Sequence, residues 1–355
     1  MNSTLNQSKQ SFLAIGLVNE FDLTHESCEI KIKDKNGEDA GTKDTERIRG
    51  KISIRFNNCV KVFDVFCTRL TNKGEESKQW KNAESWLELT PEINSSITTN
   101  FGKEEKNIVS GDNDNASLVS VSGRLMENRY YNTNTKAAAV NLRWNATRVS
   151  TSKVTTDATQ GCTLSGNFYI KSIAPETNND EETGRLKVCL VAVDYGANPI
   201  LIDAIVAEDL ADAFEDIYEV GQTASFDMDV IFEHVGATVS KEKAFGKSGT
   251  IKSTGYDKEL LVITGGDEPI EESEEEDDEG NPVDNGYINP KAMKMALKER
   301  ETMLTEITQN GGNANKVKSG TSSGLKAKKK LGNKKTTTHP LDDDENPFDD
   351  EDDDF

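Results

Sequence analysis

The stretch Cys162–Ile173, CTLSGNFYIKSI, sets Leu164, Gly166, Phe168 and Ile170 on one side and Ser165, Asn167, Tyr169 and Lys171 on the other. A period of two is the mark of a strand with one face on a core. Further along, Gly184–Val193 (GRLKVCLVAV) alternates Leu186, Val188 and Leu190 against Arg185, Lys187 and Cys189, and Pro199–Val206 reads as a third strand. The period then changes. Glu208–Val220 places Leu210, Ala213, Phe214 and Ile217 on one helical face, with Gly221 where a stop is expected. Thr223–Phe232 (TASFDMDVIF) returns to alternation and Glu259–Thr264 adds a last strand. Three strands, a helix and two strands is the order of a five-stranded OB barrel.

The N-terminal half has the same texture. Lys51–Phe56 (KISIRF) alternates Ile52, Ile54 and Phe56 against Ser53 and Arg55. Leu118–Leu125 aligns Val119, Val121, Gly123 and Leu125, and Ala139–Thr147 sets Val140, Leu142 and Trp144 opposite Asn141, Arg143 and Asn145. Ser77–Leu89 carries Trp80, Ala83 and Leu87 at helical spacing, and Asp34–Thr45 and Ile93–Asn115 read as long loops. The expected fold is mainly β, a tandem of OB-like barrels at 11–155 and 160–265 after a loose N-terminus at 1–10.

Beyond residue 265 the chemistry changes. Residues 267–284 hold eleven acids, a composition that cannot bury enough surface to fold, so 266–288 reads as an acidic disordered linker. Residues 289–307 predict one short amphipathic helix: Asn289 as N-cap, Pro290 at the first position, and Met293, Leu297, Leu304 and Ile307 on one stripe, able to pack on the second barrel or on a partner. Residues 308–340 form a lysine-rich flexible linker, and 341–355, LDDDENPFDDEDDDF, hold ten acids in fifteen residues. The net charge of -21 is spread over both parts. The first 265 residues hold 39 acidic and 30 basic residues, which argues against indiscriminate duplex binding but not against a local basic groove.

Five cysteines without a CxxC, and three histidines without an HxxxH, give no zinc spacing. No P-loop, dinucleotide fingerprint, GxSxG or HExxH is present, so the expectation is a non-enzymatic protein without cofactor or metal. A two-metal nuclease built on Asp194, Asp203 and Asp227 is the weakest alternative. No signal peptide and no long apolar run is present, so neither secretion nor membrane association is expected, and the chain reads as cytoplasmic.

The barrels offer rings and cations, the two things a single-strand groove needs. Arg124, Arg129, Tyr130, Tyr131, Lys136, Arg143, Trp144 and Arg148 fall within a stretch whose one acid is Glu127. Arg55 joins them from the polar side of its strand, and Tyr169, Lys171, Arg185 and Lys187 form a second basic patch. Trp144, on the face of Val140 and Leu142, also fits a core position. In the acidic end, Phe348 and Phe355 are apolar residues among carboxylates, the composition of a docking peg rather than a bristle for solubility.

Barrels, linker and an acidic end finishing in phenylalanine together resemble bacteriophage single-stranded DNA-binding proteins. The resemblance implies that the chain coats single-stranded DNA in replication and recombination, and that Asp342, Asp343, Asp344, Pro347 and Phe348, with the terminal Phe355, recruit a polymerase, primase or helicase. An acidic chaperone or DNA mimic that binds basic proteins is the other class that the charge admits.

Overall fold

The strand–helix order read from Cys162 onward is the one the computed structural model adopts; it describes residues 5–35, 37–57, 59–100, 104–151, 159–178, 181–235, 255–273 and 284–311. The lysine-rich segment after 311, the acidic end and much of the acidic run lie outside these residues. The first unit holds β1 (Gln10–Lys33), β2 (Asp39–Phe56), β3 (Cys59–Thr68), α1 (Trp80–Trp86), β4 (Ser95–Asn100), β5 (Glu104–Val109), β6 (Leu118–Asn132) and β7 (Ala137–Ser150). The second holds β8 (Gly161–Asn178), β9 (Glu181–Val193), β10 (Pro199–Val206), α2 (Glu208–Ile217), β11 (Thr223–Val235) and β12 (Tyr256–Gly266), and α3 (Pro290–Gln309) follows. The protein is mainly β.

Each unit closes on itself. In the first, β1 pairs β2 and β2 pairs β3, both antiparallel; β3 pairs β7 in parallel, and β6 returns to β1. In the second, β8, β9 and β10 run antiparallel, β10 pairs β12 in parallel, and β11 returns to β8. Closure in the order first, second, third, fifth, fourth, with a helix after the third strand, is that of an OB barrel. The core is the inward side of these strands, from Phe12, Ile52, Phe63 and Leu125 to Leu164, Phe168, Leu190 and Phe226.

The two barrels share irregularities that no periodicity reveals. Leu17 is the last residue of β1 paired to β6 and the first paired to β2; Tyr169 is the last of β8 paired to β11 and the first paired to β9. One residue later both strands bulge, between Val18 and Glu20 and between Ile170 and Ser172. A second matched bulge leaves Thr147 and Thr264 outside the ladder, their hydroxyls donating to Ser122 O at 3.3 Å and Asp227 O at 3.2 Å. The chain is therefore one barrel built twice. Phe12 and Leu164, five residues before each switch, are partners in the antiparallel β1–β8 seam that joins the copies.

That seam is tight and partly polar. Gly166 takes a φ of 155°, and a Cβ there would meet Lys9 O at 2.5 Å. The Gln10 side chain donates to Leu125 O at 2.9 Å and accepts from Leu125 N at 3.0 Å. Lys61, turned inward from β3, pairs with Glu259 of β12 and lies 4.1 Å from the Trp144 ring centre. Beside it, burial pushes the Cys162 thiol up to about 12.

Several expectations are corrected. The loop at 34–45 is mostly strand, because β1 and β2 continue as a hairpin from Lys33 to Asp39. The loop at 93–115 contains the β4–β5 hairpin, with β4 laid parallel along β1. In α2 the buried side is Ala211 and Phe214, followed by Tyr218, whereas Leu210 and Ile217 are 41% and 51% exposed. The helix after Asn289 runs to Gln309, with Asn289 accepting from Lys291 N and Ala292 N. It packs on β6, β7 and β10. Among the described residues no helix is long and apolar enough to cross a membrane.

Candidate nucleic-acid interface

In OB barrels the outer side of the second and third strands, between the first hairpin loop and the last, is where oligonucleotides lie. In the first barrel that surface is written by ERIRGKISIRF, Glu46–Phe56. Ile48, Ile52, Ile54 and Phe56 point inward, which sends Arg47, Arg49, Lys51, Ser53 and Arg55 outward. Their partners on β3 are Thr68, Phe66, Asp64, Val62 and Val60 in that order. Val60 and Val62 are 42% and 48% exposed, and Phe66 is half-buried. Apolar side chains beside an arginine and lysine row make a surface for base planes flanked by phosphate contacts.

Carboxylates set the charge of this face. Arg47 and Arg49 share Glu26 Oε1 at 2.7 and 2.9 Å. Arg55 donates from Nε to the buried Glu92 carboxylate at 2.8 Å, and this hydrogen bond raises the guanidinium pKa. Arg143, from β7, approaches Asp64 at 3.4 Å. Arg49, Lys51 and Arg143 are exposed.

The residues singled out from sequence fall into separate places. Arg55, Arg143 and Arg124 reach the first barrel's outer surface, Arg124 from β6 opposite Asn145. Tyr130, 43% exposed, Tyr131 and Lys136 lie on the β6–β7 hairpin, the last loop of that barrel, and Arg148 is exposed near its bulge. Trp144 does not belong to the surface. It is 5% exposed, packed 5.1 Å from the Phe12 ring and beneath Lys61. Arg129 is also spent: with Arg300 of α3 it grips Glu127, whose side chain is 3% exposed.

On the second barrel Lys171 is exposed at the β8 bulge, Lys187 pairs with Asp203 at 3.3 Å, and Arg185 bonds Glu176 and Glu233. Tyr169 is 4% exposed, shut with Val191 and Val193 beneath Ile288, Met293 and Leu297. It is no free stacking ring, and burial raises its pKa. Sequence reading missed Arg49, Lys51 and Phe66. The alternation of ERIRGKISIRF holds the signal for the first two, but Gly50, without a side chain, breaks the inward row between Ile48 and Ile52.

The nuclease alternative finds no assembly. Asp194 accepts from Asn198 in the β9–β10 turn, Asp203 pairs with Lys187, and Asp227 sits at the β11 bulge. Among the described residues no group of three or more His, Cys, Asp or Glu could hold a metal ion.

A family model named YorF matches residues 19–310, which spans both barrels and α3. The chain belongs to the YorF family. The matched range starts inside β1 of this YorF protein and ends just beyond α3. No curated protein matches it. Among solved structures, the YorF chain is similar to the wild-type single-stranded DNA-binding protein from Thermus aquaticus, with 10% identity and a TM-score of 0.37 over 78% of this chain and 98% of that one. A deletion mutant of the same protein aligns with 10% identity and a TM-score of 0.36, over 76% of this chain and 99% of that one. The OB assignment rests on strand order and closure, not on these likenesses.

Proposed function

We propose that this YorF-family protein is a non-enzymatic single-stranded DNA-binding protein whose primary contact is the outer face of β2 and β3 in the first barrel. One observation carries the reading: the OB ligand surface presents Arg49, Lys51 and Arg143 around exposed Val60 and Val62 and the half-buried Phe66. Phosphates would track the cations while bases stack on the apolar strip. The β6–β7 hairpin, with Tyr130, Tyr131 and Lys136, stands where an OB barrel supplies a flanking loop. The chain coats DNA strands in phage-type replication and recombination, and the acidic end at 341–355 docks a polymerase, primase or helicase through Phe348 and Phe355.

The test is a fluorescence titration with labelled oligo-dT, using the full chain and a variant lacking 341–355. Binding by both, weakening as salt is added, is expected. The same deletion should abolish retention of replication proteins. Absence of binding at modest salt would favour the acidic chaperone or DNA mimic, for which the acid excess of the first 265 residues speaks.

A further inference from the structure

The second barrel repeats the cation pair of the first. Lys51 lies opposite Asp22, two residues past the β1 bulge, and Lys187 lies opposite Ala174, two residues past the β8 bulge. Arg49 and Arg185 precede them by the same step. Equivalent strands thus place the same two cations on the outer side of both barrels. At the switch residue the second barrel adds a ring, Tyr169, where the first has Leu17.

Besides the carboxylates that hold Arg185 and Lys187, what differs is the cover. In the first barrel the face is open at Val60 and Val62. In the second, α3 and Ile288 lie over Tyr169, Val191 and Val193. The helix is pinned at its start by Thr223 Oγ1, which accepts from Ile288 N at 3.1 Å. At its far part it is held by Arg300 on Glu127 and by Ala138 N donating to Thr308 Oγ1 at 2.9 Å.

Between these ends its grip is thin. Only Ala292 and Met293 of its residues are buried, and Leu297, Leu304 and Ile307 are half-buried. A helix with few buried contacts opens at a lower free energy than the barrel it rests on. Its outer side carries exposed Lys291, Lys294 and Lys298, with exposed Glu301 on the same stripe.

We infer that the second barrel holds a second single-stranded nucleic-acid site, of the same chemistry as the first, which α3 keeps closed in the free protein. This rests on the DNA-binding reading of the first barrel. Opening the site means lifting α3 from Tyr169 and Val191, so that a base can stack on the ring while Arg185 and Lys187 take phosphates.

The experiment counts bound oligonucleotides. Oligo-dT of about eight nucleotides suits the footprint of one OB fold. It is titrated at low salt into the full chain and into Met293→Asp, with hydrogen exchange across 290–309 reporting release of the helix. One oligonucleotide per wild-type chain and two per Met293→Asp chain are expected, with Lys187→Glu in that background returning the count to one. Two on the wild type, or one on Met293→Asp with α3 released, overturns the closed site. If the wild type binds none, the first-barrel reading fails by itself. Binding gained by Met293→Asp and lost with Lys187→Glu would then still support the second site, and no gain would overturn it. Should Met293→Asp lose cooperative unfolding, Leu297→Asp at a half-buried position takes its place in the same assay.

Discussion

A guanidinium already held by a carboxylate must give up that partner to meet a phosphate, so the residues of the outer face are not equal. Glu92, its side chain 3% exposed, has its counter-ion in Arg55. Arg55→Ala should therefore act on stability, lowering it by roughly 1–3 kcal/mol in urea denaturation, below the usual cost of breaking a fully buried pair because water reaches Arg55. Lys51 is exposed and should act on binding. Lys51→Glu is expected to weaken oligo-dT affinity and to lower the slope of log affinity against log salt by about one, with an unchanged urea midpoint. Phe66→Ala should cost about 1–3 kcal/mol of affinity if bases stack there. Trp144→Ala should instead lose stability, about 3–5 kcal/mol, since its ring is core.

At the scale of elements, β2 carries the face and Gly50 sets how β2 meets β1. Its φ is 145°, and a Cβ would stand 2.0 Å from Asp22 O, a backbone atom that cannot turn aside. Gly50→Ala should destabilise by roughly 1–3 kcal/mol and, by displacing Arg49 and Lys51, weaken oligonucleotide binding as well; thermal unfolding and titration read the two effects. Elements were legible where one side meets a core. β10 appears in the sequence with the bounds it has in the structure, Pro199–Val206. The outer part of the β1–β2 hairpin was not legible, because Asp39–Asp44 is exposed throughout and its polar side chains carry no alternation. Backbone pairing holds it, and backbone pairing leaves little trace in side-chain chemistry. The α2 stripe was misphased for a related reason: Leu210 and Ile217 are apolar but face water.

Across the whole molecule the two barrels are fused through a seam that buries charge. Lys61 is held by Glu259 from the other barrel, and desolvation lowers its pKa despite that partner. The pair is buried on one side only, Lys61 being 7% and Glu259 37% exposed, so Glu259 can return to water when its partner is lost whereas Lys61 cannot. Lys61→Met is thus expected to leave thermal stability unchanged or raised, and Glu259→Gln to lower it. Cys162, in the same seam and shifted to about 12, has almost no thiolate at pH 8. Thiol reagents should modify it only at the rate of global opening, while the half-buried Cys28 reacts sooner; mass spectrometry of the labelled chain separates them.

By itself the sequence determined the strand alternations, the helix capped by Asn289, the absence of a metal spacing and the acidic, phenylalanine-tipped end. Those are local properties, set by side-chain chemistry at periods of two and about 3.6. The tertiary structure decided the rest: the matched bulges that make one barrel twice, the inward turn of Trp144, and the burial of Tyr169. Period two tells which residues share a face, but not whether water or another element meets that face. For Tyr169 the answer comes from Met293 and Leu297, far along the chain, and only folding brings them there.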